Sequence, residues 1–183
     1  MSNKFTTVKT EDEAEYLSSL RATSGDVPVW SDFQQSKVDE AVEMLRVQLR
    51  CERAFGDPLT SPERVRVLLQ LKLARLRNES FVCLFLDSRY RLLSDDVLFT
   101  GTIDSAHVHP RVVCEKALGA HAAAVIVAHN HPSGCPEPSA ADLAITRRLR
   151  DALGLLDIRL LDHFIVGGVA ASEIVSLAER GLV

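Results

Sequence analysis

The sequence predicts an α/β fold in which helices pack on a mixed β-sheet and a short helical segment precedes the sheet. Two apolar, β-prone runs, residues 81–86 and 123–128, predict buried strands. Strands and helices then alternate through roughly the last hundred residues, which indicates a mixed sheet with packed helices. The 183 residues, 46% hydrophobic and 25% charged, have the composition of an ordinary globular domain.

Residues 1–30 and 31–77 precede the predicted sheet. The first range is polar and acidic and predicts a loosely ordered arm with a short helix near residues 12–20. In the second, apolar residues at three- and four-residue spacing predict a helix capped by Ser31 or Asp32; they are Val38, Ala41, Val42, Leu45 and Leu49. After a Gly-Asp-Pro break, Pro62 opens a second helix to about residue 76, with Thr60 and Glu63 at capping-box spacing.

The order of the remaining elements follows from the apolar runs and their breakers. Residues 91–94 and 97–102 predict two strands after the first, and Pro110 opens a helix to about residue 118. Ser139 begins a helix after the strand at 123–128, and residues 158–161 and 164–166 predict two final strands.

Charge, cysteines and termini limit the function classes. The net charge is −4, but residues 46–77 hold eight basic and three acidic side chains, which predicts a solvated helix face or a contact with nucleic acid or an acidic partner. A pI near 5.9 argues against a dedicated DNA coat protein. No apolar run is long enough to span a membrane, the N-terminus has no signal-peptide core, and the four cysteines form no C-x-x-C pair. These features predict a reduced, cytoplasmic protein.

The residues that suggest chemistry follow the second buried strand. His129 and His131 are two residues apart, so both imidazoles project from one face of the strand. Asp142 lies in the first turn of the next helix, and the Pro- and Gly-rich loop between can fold it back toward the strand end. Two histidines and one carboxylate form a catalytic zinc set that leaves a fourth position for water. A helix cap at Ser139 and Asp142, with a loop that only shapes a turn, explains the same residues without a metal.

The pattern His129-x-His131, seven residues, Ser139, two residues, Asp142 resembles the JAMM (MPN+) metalloprotease motif. The sequence His-Asn-His-Pro-Ser-Gly is more specific than this motif and resembles the RadC family of bacterial proteins. Further segments agree in order: residues 81–87, 100–103, 108–111, 160–167 and 178–181. The resemblance covers about residues 60–183 and implies a JAMM/MPN-like metal-binding domain over 78–183, with deaminase-like layering, in a short form of the family.

The resemblance implies zinc bound by His129, His131 and Asp142. It also implies a general base at Glu79, just before the first strand, and an oxyanion donor at Ser139. Zinc lowers the pKa of its water toward about 7, and a positioned carboxylate can take the proton and pass it to a leaving amine. Cys135 is expected as a plain loop residue or a contact of the ion. His163 is expected as a core histidine or as a partner of a ligand.

These residues bear on four possible functions. The first is a zinc-dependent hydrolase that cleaves peptide or isopeptide bonds in a peptide or protein substrate. The alternative is a DNA-repair-associated module that binds nucleic acid or a partner, which the RadC resemblance suggests and the modest basic segment supports weakly. A zinc deaminase is excluded because it needs His-x-Glu and Pro-Cys-x-x-Cys. A metal-free scaffold does not fit a chain that keeps every ligand of the motif.

Overall fold

The computed structural model describes residues 31–51, 62–101 and 108–183. The arm predicted over residues 1–30, the Gly-Asp-Pro break and Thr60 lie outside these residues. The described helices are α1 (Asp32–Cys51), α2 (Pro62–Leu73), α3 (Pro110–Gly119) and α4 (Ala140–Gly154). The strands are β1 (Ser80–Leu86), β2 (Leu92–Thr100), β3 (Ala124–Asn130), β4 (Arg159–Val166) and β5 (Ile174–Ser176), with a short 3-10 turn at Ala171–Glu173.

The five strands form one mixed sheet in the order β2-β1-β3-β4-β5. The central pair, β3 and β4, is parallel, whereas β1 pairs antiparallel with both β2 and β3, and β5 pairs antiparallel with β4. The parallel pair is joined by α4, as a parallel connection requires a crossover. The predicted α/β class with a mixed sheet is confirmed.

Helices cover both faces of the sheet, because side chains alternate between the faces along each strand. One face packs against α1 and α2, and its buried strand residues include Val82, Leu84, Leu86, Ala124, Ile126, Ala128, Phe164 and Val166. The other face packs against α3 and α4, and its buried strand residues include Phe81, Cys83, Phe85, Val125, Val127 and Leu160. The helical segment therefore shares a core with the sheet that it precedes.

The beginning of α1 follows the predicted cap. The Gln34 backbone N–H donates to Ser31 Oγ over 3.3 Å, and the Ser31 backbone N–H donates to Gln34 Oε1 over 3.0 Å. This reciprocal pair satisfies two backbone donors that a helix end would otherwise leave open. The apolar stripe of α1 then buries Val42 and Leu49 against the sheet.

The sequence interpretation divided two strands that are continuous. The predicted strands at 91–94 and 97–102 are one strand, β2, because the polar residues between them are accommodated inside it. Asp95, whose side chain is 2% exposed, accepts hydrogen bonds from Arg46 of α1, at 2.9 Å for each of two contacts, and from Lys72 of α2. The interruption in the apolar pattern is thus an ion-paired contact between the helices and the sheet.

The last two predicted strands, 158–161 and 164–166, are also one strand, β4. Asp162 within it is buried, and its carboxylate accepts hydrogen bonds from Ser176 Oγ at 2.6 Å and from the Ala178 backbone at 2.9 Å. Its neighbour His163 is fully buried. The polar pair interrupts the apolar pattern of one strand, because its hydrogen-bonding partners lie on other elements.

No described helix is both long and apolar enough to cross a lipid bilayer.

Candidate metal centre

His129 and His131 meet at the end of β3. Their Nε2 atoms lie 2.9 Å apart, on the face of the sheet that α3 and α4 cover. The His129 ring is buried and stacks on Phe81 of the neighbouring strand with ring centroids 6.2 Å apart. The half-buried ring of His131 lies just beyond the strand, so the pair has one sheltered and one more accessible member.

Asp142 reaches the two histidines from the first turn of α4. Its Oδ1 lies 3.1 Å from His129 Nε2, and its Oδ2 lies 3.5 Å from His131 Nε2. Ser139 holds the carboxylate, because its backbone N–H and its hydroxyl both donate to Asp142 Oδ2, at 2.7 and 2.6 Å. In return Ser139 Oγ accepts from the Asp142 backbone N–H at 3.2 Å. The predicted cap at Ser139 is therefore present, and it leaves Asp142 Oδ1 beside His129.

The spacing of these donor atoms fits one tetrahedral metal ion. Zinc–nitrogen and zinc–oxygen bonds of about 2.0–2.1 Å place neighbouring ligand atoms about 3.3 Å apart. His129 Nε2 lies 2.9 Å from His131 Nε2 and 3.1 Å from Asp142 Oδ1, and one ligand atom from each of the three residues lies within 4.8 Å of the others. Two imidazoles and one carboxylate can thus hold zinc and leave a fourth position open.

Two further groups determine which nitrogen of His129 faces the centre. Thr146 Oγ1 donates to the backbone carbonyl of Asp142 at 2.6 Å, since a carbonyl can only accept. The same Oγ1 lies 2.6 Å from His163 Nδ1 and must accept its proton. His163 Nε2 is then without a proton and accepts from His129 Nδ1 at 2.8 Å. His129 Nε2 therefore presents a lone pair, as a metal ligand must.

His131 has the same tautomer for a simpler reason. Its Nδ1 lies 2.7 Å from the backbone carbonyl of Cys135, so this nitrogen carries the proton and Nε2 faces the centre. Cys135 itself is exposed, and its described contact with the centre is through that carbonyl. Two unprotonated imidazole nitrogens repel each other at 2.9 Å, so a cation, either a metal ion or a proton on His131, is needed to stabilise the contact.

The charges at the centre reflect this competition between metal and proton. The hydrogen bond to Asp142 raises the pKa of His131, and smaller contributions come from Cys135 and Glu79. Burial raises the pKa of Asp142, but the adjoining imidazoles of His129 and His131, which become cations when protonated, outweigh it and hold that pKa well below its usual range. Burial lowers the pKa of His163 far below the usual value, so His163 stays neutral and can accept the bond from His129.

Glu79 lies at the same end of the sheet, immediately before β1. Phe81 is paired opposite His129 at the end of the ladder, and extending this antiparallel register by two residues sets Glu79 opposite His131. Residues that face each other across two strands, and residues two apart along one strand, lie on the same face. The carboxylate of Glu79 therefore belongs to the face of the two histidines, and it is close enough to His131 to raise the pKa of that ring.

Close backbone contacts fix the loop between β3 and α4. A Cβ on Gly167, which follows β4, would lie 2.4 Å from the carbonyl oxygen of Gly134 in the loop. Gly134 itself has a φ of +84°, which favours glycine. Arg180 donates two hydrogen bonds of 2.8 Å to the carboxylate of Glu137 and so ties the C-terminal segment to the same loop. The loop is thus held from both sides.

The sequence predicted one site that contains His129, His131, Asp142, Ser139 and Glu79. For His163 it allowed two roles, a core histidine or a partner of a ligand. It missed Thr146 as part of the centre. Thr146 lies four residues after Asp142 on α4, so the two share a helix face. The four-residue spacing is present in the sequence, but an inward-facing threonine on a helix is equally consistent with ordinary core packing.

Three of the eight cations in the basic segment 46–77 are paired within the protein. Arg46 and Lys72 pair with Asp95, and Arg66 pairs with Glu179 and donates to the carbonyl of Ile174 at 3.2 Å. These three cations are therefore engaged by the protein rather than presented to a phosphate backbone.

Comparison with known proteins gives one consistent family. The family model described as a RadC-like JAB domain matches residues 59–182. A UPF0758 protein of Thioalkalivibrio sulfidiphilus is 53% identical over 147 residues, which are 80% of this chain and 64% of that protein. UPF0758 proteins of Vibrio cholerae and Cellvibrio japonicus are 56% and 52% identical over 145 residues, 79% of this chain and 63% of each. The chain thus spans slightly less than two thirds of the length of these relatives.

Proposed function

The chain belongs to the family of RadC-like JAB domains, and on that premise we propose that it is a zinc-dependent hydrolase of peptide or isopeptide bonds. The observation that carries this proposal is the convergence of two histidine lone pairs and one buried carboxylate. One ligand atom from each of the three residues lies within 4.8 Å of the other two.

His129, His131 and Asp142 would hold the metal in this proposal. A zinc ion there supplies a Lewis acid that polarises the scissile carbonyl and lowers the pKa of a water at its open position. The protein supplies the orientation, because His163 and the Cys135 carbonyl fix the imidazoles and Ser139 fixes the carboxylate. Each ligand therefore has a hydrogen-bonding partner that limits its rotation.

Glu79 is the proposed general base. Two observations support this role: the register of β1 and β3, extended beyond their last pair, sets Glu79 opposite His131, and the charge of Glu79 contributes to the raised pKa of His131. It would accept a proton from the attacking water and deliver it to the leaving nitrogen. A carboxylate in this role typically contributes about 10²–10⁴ in rate.

Ser139 is proposed to donate to the oxyanion that forms on the substrate. Its hydroxyl donates to Asp142 Oδ2 in the described structure. Rotation of the hydroxyl hydrogen alone would redirect it, because Oγ can still accept from the Asp142 backbone while the Ser139 N–H still holds Oδ2. Ser139 would thus serve the metal ligand in the resting protein and the substrate during reaction.

The partner in this proposal is a peptide or protein substrate, and the proposed compartment is the cytoplasm. The described cysteines Cys83, Cys114 and Cys135 are free thiols, which suits a reducing compartment. Pairing of three of the eight cations in the basic segment with carboxylates of the protein leaves fewer charges for a phosphate backbone and weakens the DNA-repair alternative.

The test is a cleavage screen that compares the zinc-loaded protein with its Glu79→Gln variant. The screen uses linear peptides and peptides joined through a lysine ε-amine, with products identified by mass spectrometry. We expect cleavage by the unmodified protein, loss with a chelator, return with zinc, and a decrease of about 10²–10⁴-fold in folded, zinc-loaded Glu79→Gln. Equal cleavage by Glu79→Gln, or cleavage that persists in His129→Ala/His131→Ala, would refute the proposal.

A further inference from the structure

Asn130 lies between the two histidines and has a separate set of contacts. It is buried, with 2% of its surface exposed, and strand alternation places its side chain on the face opposite the imidazoles. Its Oδ1 accepts from the Ser80 backbone N–H at 2.8 Å. Its Nδ2 donates to the carbonyls of Leu76 and Asn78 at 3.1 and 3.2 Å. All three partners are backbone groups within four residues of Glu79.

These bonds act where the strand ladder ends. Phe81 and His129 are the last paired residues of β1 and β3 at this end, and the Ser80 N–H bonds to the side chain of Asn130. On its other side Glu79 is held by β2, because its own carbonyl accepts from the Gly101 N–H at 2.8 Å. Asn130 thus provides the link from β3 to the backbone on both sides of Glu79.

Only a primary amide satisfies this set of contacts. Two carbonyls require donors and one N–H requires an acceptor, and the carboxamide of asparagine offers both within one short side chain. An aspartate could accept from Ser80 but would set a negative oxygen against the carbonyls of Leu76 and Asn78. A shorter side chain would leave buried backbone groups unpaired, which weakens the local structure.

We propose that Asn130 is a positioning residue that holds Glu79 beside the metal centre. The inference rests on the proposed function, in which Glu79 is the base. The histidines depend on His163 and the Cys135 carbonyl for their orientation, whereas the backbone of Glu79 depends on Asn130. Asn130 therefore acts on the base and leaves the ligands in place.

The experiment needs no substrate, because the charge of Glu79 can be detected by an anion. The protein is loaded with Co²⁺, and azide is titrated into the open position at one fixed pH while the visible absorption of cobalt is recorded. A carboxylate held close to that position repels azide, so Glu79→Gln should bind azide about three- to tenfold more tightly than the unmodified protein. Asn130→Ala should increase azide affinity in the same direction, because Glu79 is then released from its position.

The double variant Asn130→Ala/Glu79→Gln decides whether the effect passes through Glu79. We expect it to bind azide as Glu79→Gln does, with no additional change from Asn130→Ala. Ser176→Ala is the matched control, since it also removes a buried hydrogen-bonding side chain, from β5, and should leave azide affinity unchanged while lowering the melting temperature.

The results separate this inference from the function on which it rests. The role of Asn130 would be overturned if Asn130→Ala bound azide as the unmodified protein does. It would also be overturned if Asn130→Ala increased azide affinity equally in the unmodified and Glu79→Gln backgrounds. Either result would leave the hydrolase proposal standing. Failure to bind Co²⁺, or an unchanged azide affinity in Glu79→Gln, would instead overturn the placement of the base and the inference with it.

Discussion

His129 Nδ1 donates to His163 Nε2 over 2.8 Å, and this buried contact leaves the other nitrogen of His129 without a proton. The chain of bonds continues from His163 to Thr146 and ends at the backbone carbonyl of Asp142. The orientation of His129 on β3 therefore depends on α4, the helix that also carries the ligand Asp142. The metal centre is built by both β3 and α4, and a change in the path should be measurable in metal affinity.

Thr146→Val tests that path. Valine has nearly the shape of threonine but cannot accept the proton of His163, so the tautomer of His163 and then of His129 is no longer fixed. Replacing such a partner of a metal ligand typically weakens binding 10–100-fold, and we expect zinc affinity to decrease by about tenfold. Competition with a chromophoric chelator measures it. Thr146→Ser keeps the hydroxyl and should bind zinc as the unmodified protein does; equal affinities for the valine and serine variants would exclude the path.

As the pH falls, the affinity for zinc should begin to decrease at a higher pH than it would with an ordinary histidine ligand. The pKa of His131 is raised, chiefly by Asp142, so this ring keeps its proton above the ordinary histidine value of about 6.5. Zinc must displace that proton, and its binding therefore begins to weaken as the pH falls while still above 6.5. Zinc dissociation constants between pH 5.5 and 8.5 measure the effect. An affinity that stays constant down to pH 6 would contradict it.

Ser139→Ala should affect both folding and metal binding. It removes the side-chain acceptor at the beginning of α4, a loss that typically lowers the free energy of unfolding by about 1 kcal/mol. It also removes a donor to Asp142 Oδ2, so the carboxylate is less well oriented and zinc binds more weakly. Urea denaturation of the metal-free protein and zinc titration separate the two effects. If Ser139→Thr, which keeps the hydroxyl, behaved like the alanine variant, the hydroxyl would not be responsible.

Asp95→Asn should destabilise the attachment of the helices to the sheet. Arg46 and Lys72 would keep their charges beside a neutral, buried amide, and breaking a buried ion pair typically lowers the free energy of unfolding by about 3 kcal/mol. Burial raises the pKa of Asp95, but the hydrogen bonds from Arg46 and Lys72 outweigh it and lower that pKa. The stabilisation is thus present above the unfolded pKa of about 3.9 and is lost as the pH falls further.

Denaturation at pH 7 and at pH 3 measures this difference. The gap in stability between the unmodified protein and Asp95→Asn should be largest at pH 7 and should shrink at pH 3. A gap that is independent of pH would show that the ion pair is not its cause.

The sequence predicted that His129, His131 and Asp142 converge, and the structure brings them together, because the information that places them is local. His129 and His131 share a strand, and Asp142 follows one stiff loop later, so short-range spacing was sufficient. The polar interruptions inside β2 and β4 were misinterpreted because Asp95 and Asp162 find their partners on elements distant in the chain. Asn130 and Thr146 went unassigned for a similar reason: their roles depend on strand register and on the position of His163.

The most direct test of the metal centre is the zinc content of the protein purified without added metal. Inductively coupled plasma mass spectrometry should find one zinc per chain in the unmodified protein. The same stoichiometry is expected in a control in which two exposed histidines outside the centre are replaced, His109→Ala/His121→Ala. His129→Ala/His131→Ala should contain no zinc and remain folded. Full zinc occupancy in that last variant would contradict the account, because the metal would then be bound elsewhere.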